Sequence, residues 1–145
     1  MFVFHNLKDL ILLHHAKMLQ LIVDTGVKIM VPEISRTAYS APFWVGIDDI
    51  AKKGWVSLKD SDDTCFEFVM AHARNYRFAG KPLLALMHFC RQERAVLIVD
   101  DDETLVRTVC AELNVNTCSL LDFNRATINN NEYFEFIMEV KESRY

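Results

Sequence analysis

Apolar residues along this chain follow two patterns, short uninterrupted runs and longer stretches in which they recur every three or four residues. The short runs at 1–5, 27–31 and 95–99 predict strands, because they are rich in branched and aromatic side chains. The stretches at three- and four-residue spacing predict amphipathic helices. These helices are expected at 7–23, 47–53, 62–75, 82–92 and 102–113, with short strands at 54–58 and 115–117 and a helical, partly surface tail at 119–145.

The alternation of strands with helices predicts an α/β fold. The run 95–99 is apolar at every position, which is typical of a central strand buried on both faces of a parallel sheet. We therefore expect a three-layer α/β/α arrangement with a central, mainly parallel sheet. A length of 145 residues suits a single domain over 1–145. In such folds the functional site lies beyond the carboxyl ends of the strands.

Net charge, cysteine spacing and the lengths of apolar runs exclude several classes of function for this chain. The formal net charge is −4, so no overall basic surface is available and any RNA contact must come from a local patch. The four cysteines are scattered without a C-x-x-C pair, which argues against a zinc cage or a disulfide framework. No secretory leader pattern and no membrane-length apolar run is found in the sequence, so we expect a cytoplasmic protein without membrane contact.

An acidic run carries the candidate chemistry. Asp100, Asp101, Asp102 and Glu103 directly follow the predicted central strand. Four carboxylates at one strand end repel each other unless a cation neutralises them, and Mg²⁺ or Mn²⁺ prefers such oxygen ligands. A second interpretation is that one carboxylate caps the following helix while the others are solvated.

Read alone, the segment from Val96 to Arg107 is similar to the opening of a response-regulator receiver domain, which also holds Mg²⁺ with acids after its first strand. The position of the segment argues against that class. Only about 45 residues follow Asp100, too few for the rest of such a domain. No later Asp stands at the end of an apolar strand to accept a phosphate.

Several short motifs follow one another over almost the whole chain. They are Phe4-His5-Asn6, Leu10-Ile11, Val31-Pro32-Glu33, Lys53-Gly54-Trp55-Val56, the segment 79–86, the segment 96–102 and the segment 111–115. In their order and spacing, the chain resembles one branch of the PIN nuclease family. The resemblance implies a ribonuclease in which carboxylates hold Mg²⁺ or Mn²⁺ ions that activate water for attack on a phosphodiester. Many bacterial members are toxins of toxin–antitoxin pairs, so the implied partners are RNA, an antitoxin or other protein, and a second copy of the chain.

Only some of the acidic residues of the PIN family have a counterpart in this chain. Asp101 and Asp102 match the acids at the end of the central strand, with Asp100 and Glu103 as alternatives in register. Asn6 stands where the family has its first Asp, and it offers a carbonyl oxygen without a negative charge. We expect Asn6 and the acids after residue 99 to meet at neighbouring strand ends.

Two further positions depart from the family pattern. The acid expected after Val-Pro-Glu falls near Thr37 or Ala38, and the acid of the middle helix falls on Lys81. We expect Lys81 to pair with Asp101 or Asp102 in place of a metal ion. The resulting hypothesis is a PIN-like ribonuclease, of toxin type, whose activity is weak or lost because its metal is held weakly.

A basic stretch offers the local patch that RNA would need. Arg74, Arg77 and Lys81 lie close together in the sequence, with Tyr76 and Phe78 between them. Arginine and aromatic side chains bind phosphate and stack on bases, although a solvated helix face has the same composition. The alternative hypothesis is therefore a catalytically silent PIN-like module that binds RNA or a protein.

Overall fold

A computed structural model describes residues 1–144, with side chains for residues 1–143. The strands are β1 (Phe2–Phe4), β2 (Met30–Pro32), β3 (Ser57–Lys59), β4 (Val96–Ile98) and β5 (Thr117–Cys118). The helices are α1 (Leu7–His15), α2 (Leu19–Asp24), α3 (Ala41–Lys52), α4 (Cys65–His72), α5 (Lys81–Glu93), α6 (Thr104–Glu112), α7 (Leu120–Ala126) and α8 (Asn131–Arg144), with a 3-10 helix at Glu33–Ala38. Over this range, every helix is too short or too polar to cross a membrane.

Every strand pairing in the described chain is parallel, which confirms a mixed α/β fold. β1 pairs with β4 and β4 pairs with β5, while β2 pairs with β3 in a second, two-stranded group. A single parallel bridge between Phe2 and Ile29 joins the two groups. Read across that bridge, the strand order is β3, β2, β1, β4, β5. The order reverses between β1 and β4, where the carboxyl ends of two neighbouring strands open a crevice.

Successive strand residues belong to two different apolar clusters. Val3 and Leu97 pack with side chains from α4, α5 and α6, whereas Phe4 and Ile98 pack with side chains from α1, α2, α3, α7 and α8. Neighbouring side chains of a strand point to opposite faces, so each cluster collects alternate residues. The all-apolar composition of β4 follows from burial on both sides.

The helix predicted at 7–23 is two helices, so that prediction is wrong in one respect. α1 ends at His15 and α2 begins at Leu19. Between them Lys17 takes a left-handed conformation with φ of 60°, and the Met18 N–H donates to the Leu13 carbonyl oxygen over 3.0 Å. A residue in this conformation ends a helix. Hydrophobic periodicity did not reveal the break, because buried apolar side chains continue across it.

The helix predicted at 47–53 begins much earlier, at Ala41. Ser40 caps it through its Oγ, which accepts a hydrogen bond from the Phe43 N–H at 3.3 Å, and Pro42 lies in the first turn. Both residues are typical of a helix start, where a hydroxyl satisfies a free N–H and proline loses no bond. Pro42 therefore belongs to the first turn of this helix.

The helical tail is part of the core. Phe123 of α7 is buried and contacts the rings of Phe2 and Phe4 edge to face, with centroids 4.9 and 5.4 Å apart. Ile137 of α8 is buried in the same cluster. Because these contacts join the last quarter of the chain to β1, α7 and α8 are held against the end of the sheet.

We expect Phe123→Ala to lower the free energy of unfolding by about 4 kcal/mol, because it leaves a cavity beside β1. Urea unfolding followed by circular dichroism measures this change. Phe136→Ala is the matched control, since Phe136 is exposed on α8 and its loss should change stability by less than about 0.5 kcal/mol. Equal effects of the two substitutions would contradict the packing of α7 described here.

Candidate functional site

A cleft of about 620 Å³ lies at the carboxyl ends of β1 and β4. The parallel pairing positions it, because the His5 N–H donates to the Ile98 carbonyl oxygen at 3.0 Å and aligns the ends of the two strands. Asn6 therefore meets the residues that follow β4, as the sequence predicts. The lining residues are Asn6, Asp100, Asp101, Asp102, Leu120, Leu121, Phe134, Met138, Lys141 and Glu142.

Lys141 of α8 reaches into this acidic end of the sheet. Its Nζ donates to Asp100 Oδ1 at 2.7 Å and to Asp9 Oδ2 at 3.0 Å. Asp9 belongs to α1, and its side chain is only 5% exposed. One ammonium thus pairs with two carboxylates from distant parts of the chain, and we call Asp9, Asp100 and Lys141 the ionic triad. Its single positive charge offsets part of the negative charge of the two carboxylates.

Burial and charge act in opposite directions on the triad. Burial disfavours the charged form of Lys141, but its hydrogen bonds to Asp100 and Asp9 prevail and raise its pKa. Burial is also the largest influence on Asp9 and raises its pKa, against the attraction of Lys141. Asp9 Oδ1 lies 3.0 Å from Lys141 Nζ but accepts no hydrogen bond within the described chain. Lys141 thus favours the charged form of Asp9 against the effect of burial.

The remaining acids of the run are exposed and more loosely held. Asp101 Oδ1 lies 3.4 Å from Arg107 Nη1, in an ion pair open to solvent. Glu103 occupies the N-cap position of α6, but its side chain makes no capping hydrogen bond. Among the described residues, no group of three or more His, Cys, Asp or Glu side chains is arranged to hold a metal ion. The acidic run therefore does not form a carboxylate cage.

The side chain of Asn6 has a local structural role. Its Oδ1 accepts a hydrogen bond from the Lys8 N–H at 3.0 Å and caps α1. The Tyr39 hydroxyl accepts a second hydrogen bond from the start of the same helix, from the Leu7 N–H at 3.0 Å. The carbonyl oxygen that the resemblance assigns to a metal ion is thus used by the helix terminus.

Thr37 and Lys81 lie elsewhere. Both line a second, largely apolar cavity of about 470 Å³, and Thr37 Oγ1 donates to the Ile34 carbonyl oxygen. In residues 1–143, no ion pair joins Lys81 to Asp101 or Asp102. The predicted pairing of Lys81 is therefore wrong, and Lys141 is the lysine that pairs with a strand-end acid, Asp100.

Two members of the triad, Asp9 and Lys141, were not predicted from the sequence. Asp9 lies among the buried leucines of α1, but an acid in the first turn of a helix is common because it favours the helix dipole. Lys141 stands between Val140 and Glu142 in a tail with no recognisable motif. The only signal for Asp9 was its place in the sequence next to Leu10, in a helix whose leucines are buried.

The predicted RNA-binding residues do not belong to the acidic cleft. Arg74 and Arg77 are exposed in the turn that follows α4, and neither lines the cleft. The Tyr76 hydroxyl donates to Glu112 Oε2 at 2.8 Å, which holds that ring against α6.

Comparison with known proteins does not assign the chain to a class. It matches no protein-family model, no curated protein and no solved structure. The resemblance to the PIN family therefore stays an expectation based on the motifs of the sequence.

Lys141→Met removes the only cation that pairs with Asp9 in the described structure. We expect this change to lower the free energy of unfolding at pH 7 by about 3 kcal/mol, because it leaves a buried carboxylate unpaired. The double variant Asp9→Asn/Lys141→Met is the control and should lose less, since it also removes the buried charge. Urea unfolding measures both variants, and an equal loss would contradict the triad.

The difference in stability between the wild type and Lys141→Met should also depend on pH. The folded protein raises the pKa of Lys141 above its usual value of 10.5. Its stabilising contribution is therefore complete below pH 10.5 and is lost as the pH rises through the folded pKa. We expect the stability difference between wild type and Lys141→Met to shrink above pH 10.5, measured by urea unfolding in alkaline buffers.

Asn6→Ala should lower the free energy of unfolding by about 1 kcal/mol, because it removes the cap of α1. Asn6→Asp should leave stability close to that of wild type, since Asp caps a helix as well as Asn does. Thermal and urea unfolding of the two variants provide the measurement. A loss of stability in Asn6→Asp as large as in Asn6→Ala would show that the cap is not what Asn6 supplies.

Proposed function

We propose that this chain is a PIN-like domain whose metal-dependent ribonuclease activity is weak or lost, because Lys141 replaces a metal ion at the acidic end of the sheet. The observation that carries the proposal is the ionic triad, with Lys141 Nζ 2.7 Å from Asp100 and 3.0 Å from Asp9. An ammonium and a divalent cation compete for the same carboxylate oxygens. The residues present therefore do not fit a Mg²⁺ or Mn²⁺ centre.

The fold supports the proposal without identifying the family. Two apolar clusters on opposite faces of the strands are what a three-layer α/β/α domain requires. The strand order and the parallel pairing place Asn6 and the acidic run at the point where the order reverses. This is the part of the fold where the PIN resemblance implies a nuclease site.

The charges that remain are too few for tight metal binding. Lys141 forms an ion pair with Asp100, and Arg107 forms one with Asp101. Asn6 brings no charge and its oxygen caps α1. Asp102 is then the one strand-end acid of the cleft for which neither a salt bridge nor a side-chain hydrogen bond is found in residues 1–143. Affinity for hard cations depends on the number of charged ligands, so binding should be weak.

A second candidate function is a catalytically silent module in the cytoplasm that binds RNA or a protein such as an antitoxin. The exposed residues of α4 and of the turn after it favour it, because Phe66 is exposed on the helix and Phe78 is exposed next to Arg77 in the turn. Exposed aromatic and arginine side chains are common in interfaces with both classes of partner. This candidate requires no metal ion and is compatible with an inactive cleft.

Titration calorimetry with Mn²⁺ and cleavage of a labelled RNA by the same samples test the proposal. We expect the wild type to bind Mn²⁺ weakly and to cleave little or no RNA. Asn6→Asp/Lys141→Met should bind Mn²⁺ at least about tenfold more tightly, because it adds one carboxylate and frees two others. Lys52→Met, an exposed lysine of α3, is the matched control and should behave as the wild type.

One result would reject the inactive assignment. It is tight Mn²⁺ binding and RNA cleavage by the wild type, with both lost in Asp101→Ala/Asp102→Ala. If the Asn6→Asp/Lys141→Met variant folds but gains no Mn²⁺ affinity, Lys141 does not stand in the position of a metal ion.

A further inference from the structure

A pocket at the C-terminal end of α1 gathers basic and aromatic side chains. It measures about 410 Å³, which is a volume typical of sites for small molecules. Its lining includes His14, His15, Lys17, Lys53 and Trp55, and we call these five residues the basic pocket. Among the described residues, no Asp or Glu lines it, although the whole chain carries a formal charge of −4. Basic groups are thus concentrated here in an acidic protein.

Flat rings and a cation lie side by side in the basic pocket. The ring centroids of His14 and His15 are 5.7 Å apart, and those of His14 and Trp55 are 5.8 Å apart. Lys53 Nζ lies 4.8 Å from the centre of the same indole. Trp55 is half-buried and packs against the apolar cluster of α1, so it is a fixed wall of the pocket. A ligand held here would meet aromatic surface and positive charge together.

The cations of the basic pocket have no carboxylate partner inside the described chain. Within residues 1–143, none of its four basic side chains forms a salt bridge. Burial lowers the pKa of His14, and the positive charges of Lys53 and His15 lower it further, whereas the charge of Asp49 raises it. An anionic ligand would supply the negative charge that this pocket lacks.

The backbone at Lys17 has a conformation that favours glycine. Its φ of 60° lies in the left-handed region, where a side chain is unfavourable. The turn after α1 therefore does not require a lysine. Lys17 is exposed, and its ammonium group brings a second flexible cation to the pocket beside Lys53. Because residues in such conformations cluster at functional sites, the charge explains a lysine at this position better than the turn does.

We propose that the basic pocket binds a small phosphate monoester that carries an aromatic ring, of the class of nucleoside monophosphates. Lys17 and Lys53 pair with the phosphate oxygens, because ammonium groups are common phosphate ligands. His14 and His15 offer ring N–H donors to the same group. The aromatic part of the ligand lies against Trp55, since aromatic side chains stack on bases. Each part of the pocket thus has a counterpart in the ligand.

The volume of the pocket and the arrangement of its charges favour a small molecule over free phosphate or an RNA strand. Inorganic phosphate would leave much of the cavity of about 410 Å³ empty and would not use the aromatic wall. An RNA strand needs a basic groove that follows several successive phosphates. Here the cations converge on one pocket, which fits a single phosphate group.

Basic side chains also occur at helix ends because they favour the helix dipole. His14 and His15 stand in the last turn of α1, and Lys53 follows the last residue of α3. A role at the helix ends would affect stability alone, whereas a binding site also determines affinity for a ligand. Measuring stability and affinity in the same variants separates the two roles.

Titration calorimetry of the full chain with adenosine 5′-monophosphate (AMP) tests the proposal, with EDTA present so that divalent cations play no part. We expect a dissociation constant of roughly 0.1 mM, the affinity of a small and partly open site. Adenosine lacks the phosphate group, and ribose 5-phosphate and inorganic phosphate lack the aromatic ring. All three should bind at least about tenfold more weakly than AMP, because each loses part of the contacts.

Lys17→Gly separates the charge of the pocket from its fold. It removes one cation and suits the left-handed backbone, so it should fold at least as well as the wild type. It should bind AMP about tenfold more weakly. Arg94→Gly is the matched control, because Arg94 is also exposed, has a left-handed φ of 54° and lies outside the basic pocket. It should bind AMP as the wild type does, and urea unfolding checks the stability of both variants.

The pKa of His14 reports directly on the pocket. A bound phosphate group favours the charged imidazole, so saturating AMP should raise the pKa of His14. A pH titration of the imidazole ring protons by NMR measures this change, and the signal of His14 is the one that His14→Gln removes. The other four histidines lie outside the pocket or, in the case of His15, at its rim, and His72 provides the internal control.

Five results would overturn the inference. They are a wild type that does not bind AMP, an affinity unchanged in Lys17→Gly, ribose 5-phosphate or inorganic phosphate that binds as tightly as AMP, a pKa of His14 that AMP does not change, and a 5′-phosphorylated oligoribonucleotide that binds more tightly than AMP. Among the described residues, the basic pocket shares no lining residue with the acidic cleft. These results therefore leave the proposed function of the cleft to its own test.

Discussion

The pairing of Lys141 with Asp9 and Asp100 is the interaction on which the acidic end of this fold depends. A buried carboxylate is costly to ionise unless a cation lies beside it. Asp9 is nearly fully buried, and it shares its cation with Asp100 at the end of the central strand. The ionic triad therefore joins α8 to α1 and to the end of β4. This one ammonium connects the beginning, the centre and the end of the chain.

That interaction also explains how an acidic strand end exists without a cage of metal ligands. Carboxylates at neighbouring strand ends repel each other, and a protein must supply a counter-charge from somewhere. Here the counter-charge comes from a helix of the same chain, which packs into the core through Ile137, one turn before Lys141 on the same side of the helix. Because α8 is anchored by apolar contacts, the ammonium is held in place and is not a freely moving surface group. The chemistry of the cleft is thus set by the packing of the tail.

Local patterns in the sequence were sufficient for the class of fold and for one half of the site. The all-apolar run at β4 predicted a buried parallel strand, and its acidic end predicted the meeting of Asp100 with Asn6, because parallel neighbours end at the same edge. The break at Lys17 was not predictable from apolar spacing, since buried side chains continue on both sides of it.

Tertiary structure alone decided which lysine pairs with Asp9 and Asp100. The sequence placed Lys81 there by analogy, but the structure places Lys141, which is 132 residues from Asp9 along the chain. Neither Asp9 nor Lys141 has a motif, and their partnership arises only when α8 packs across the end of the sheet. Short-range patterns report the faces of helices and strands, whereas an ion pair between distant residues depends on how those faces come together.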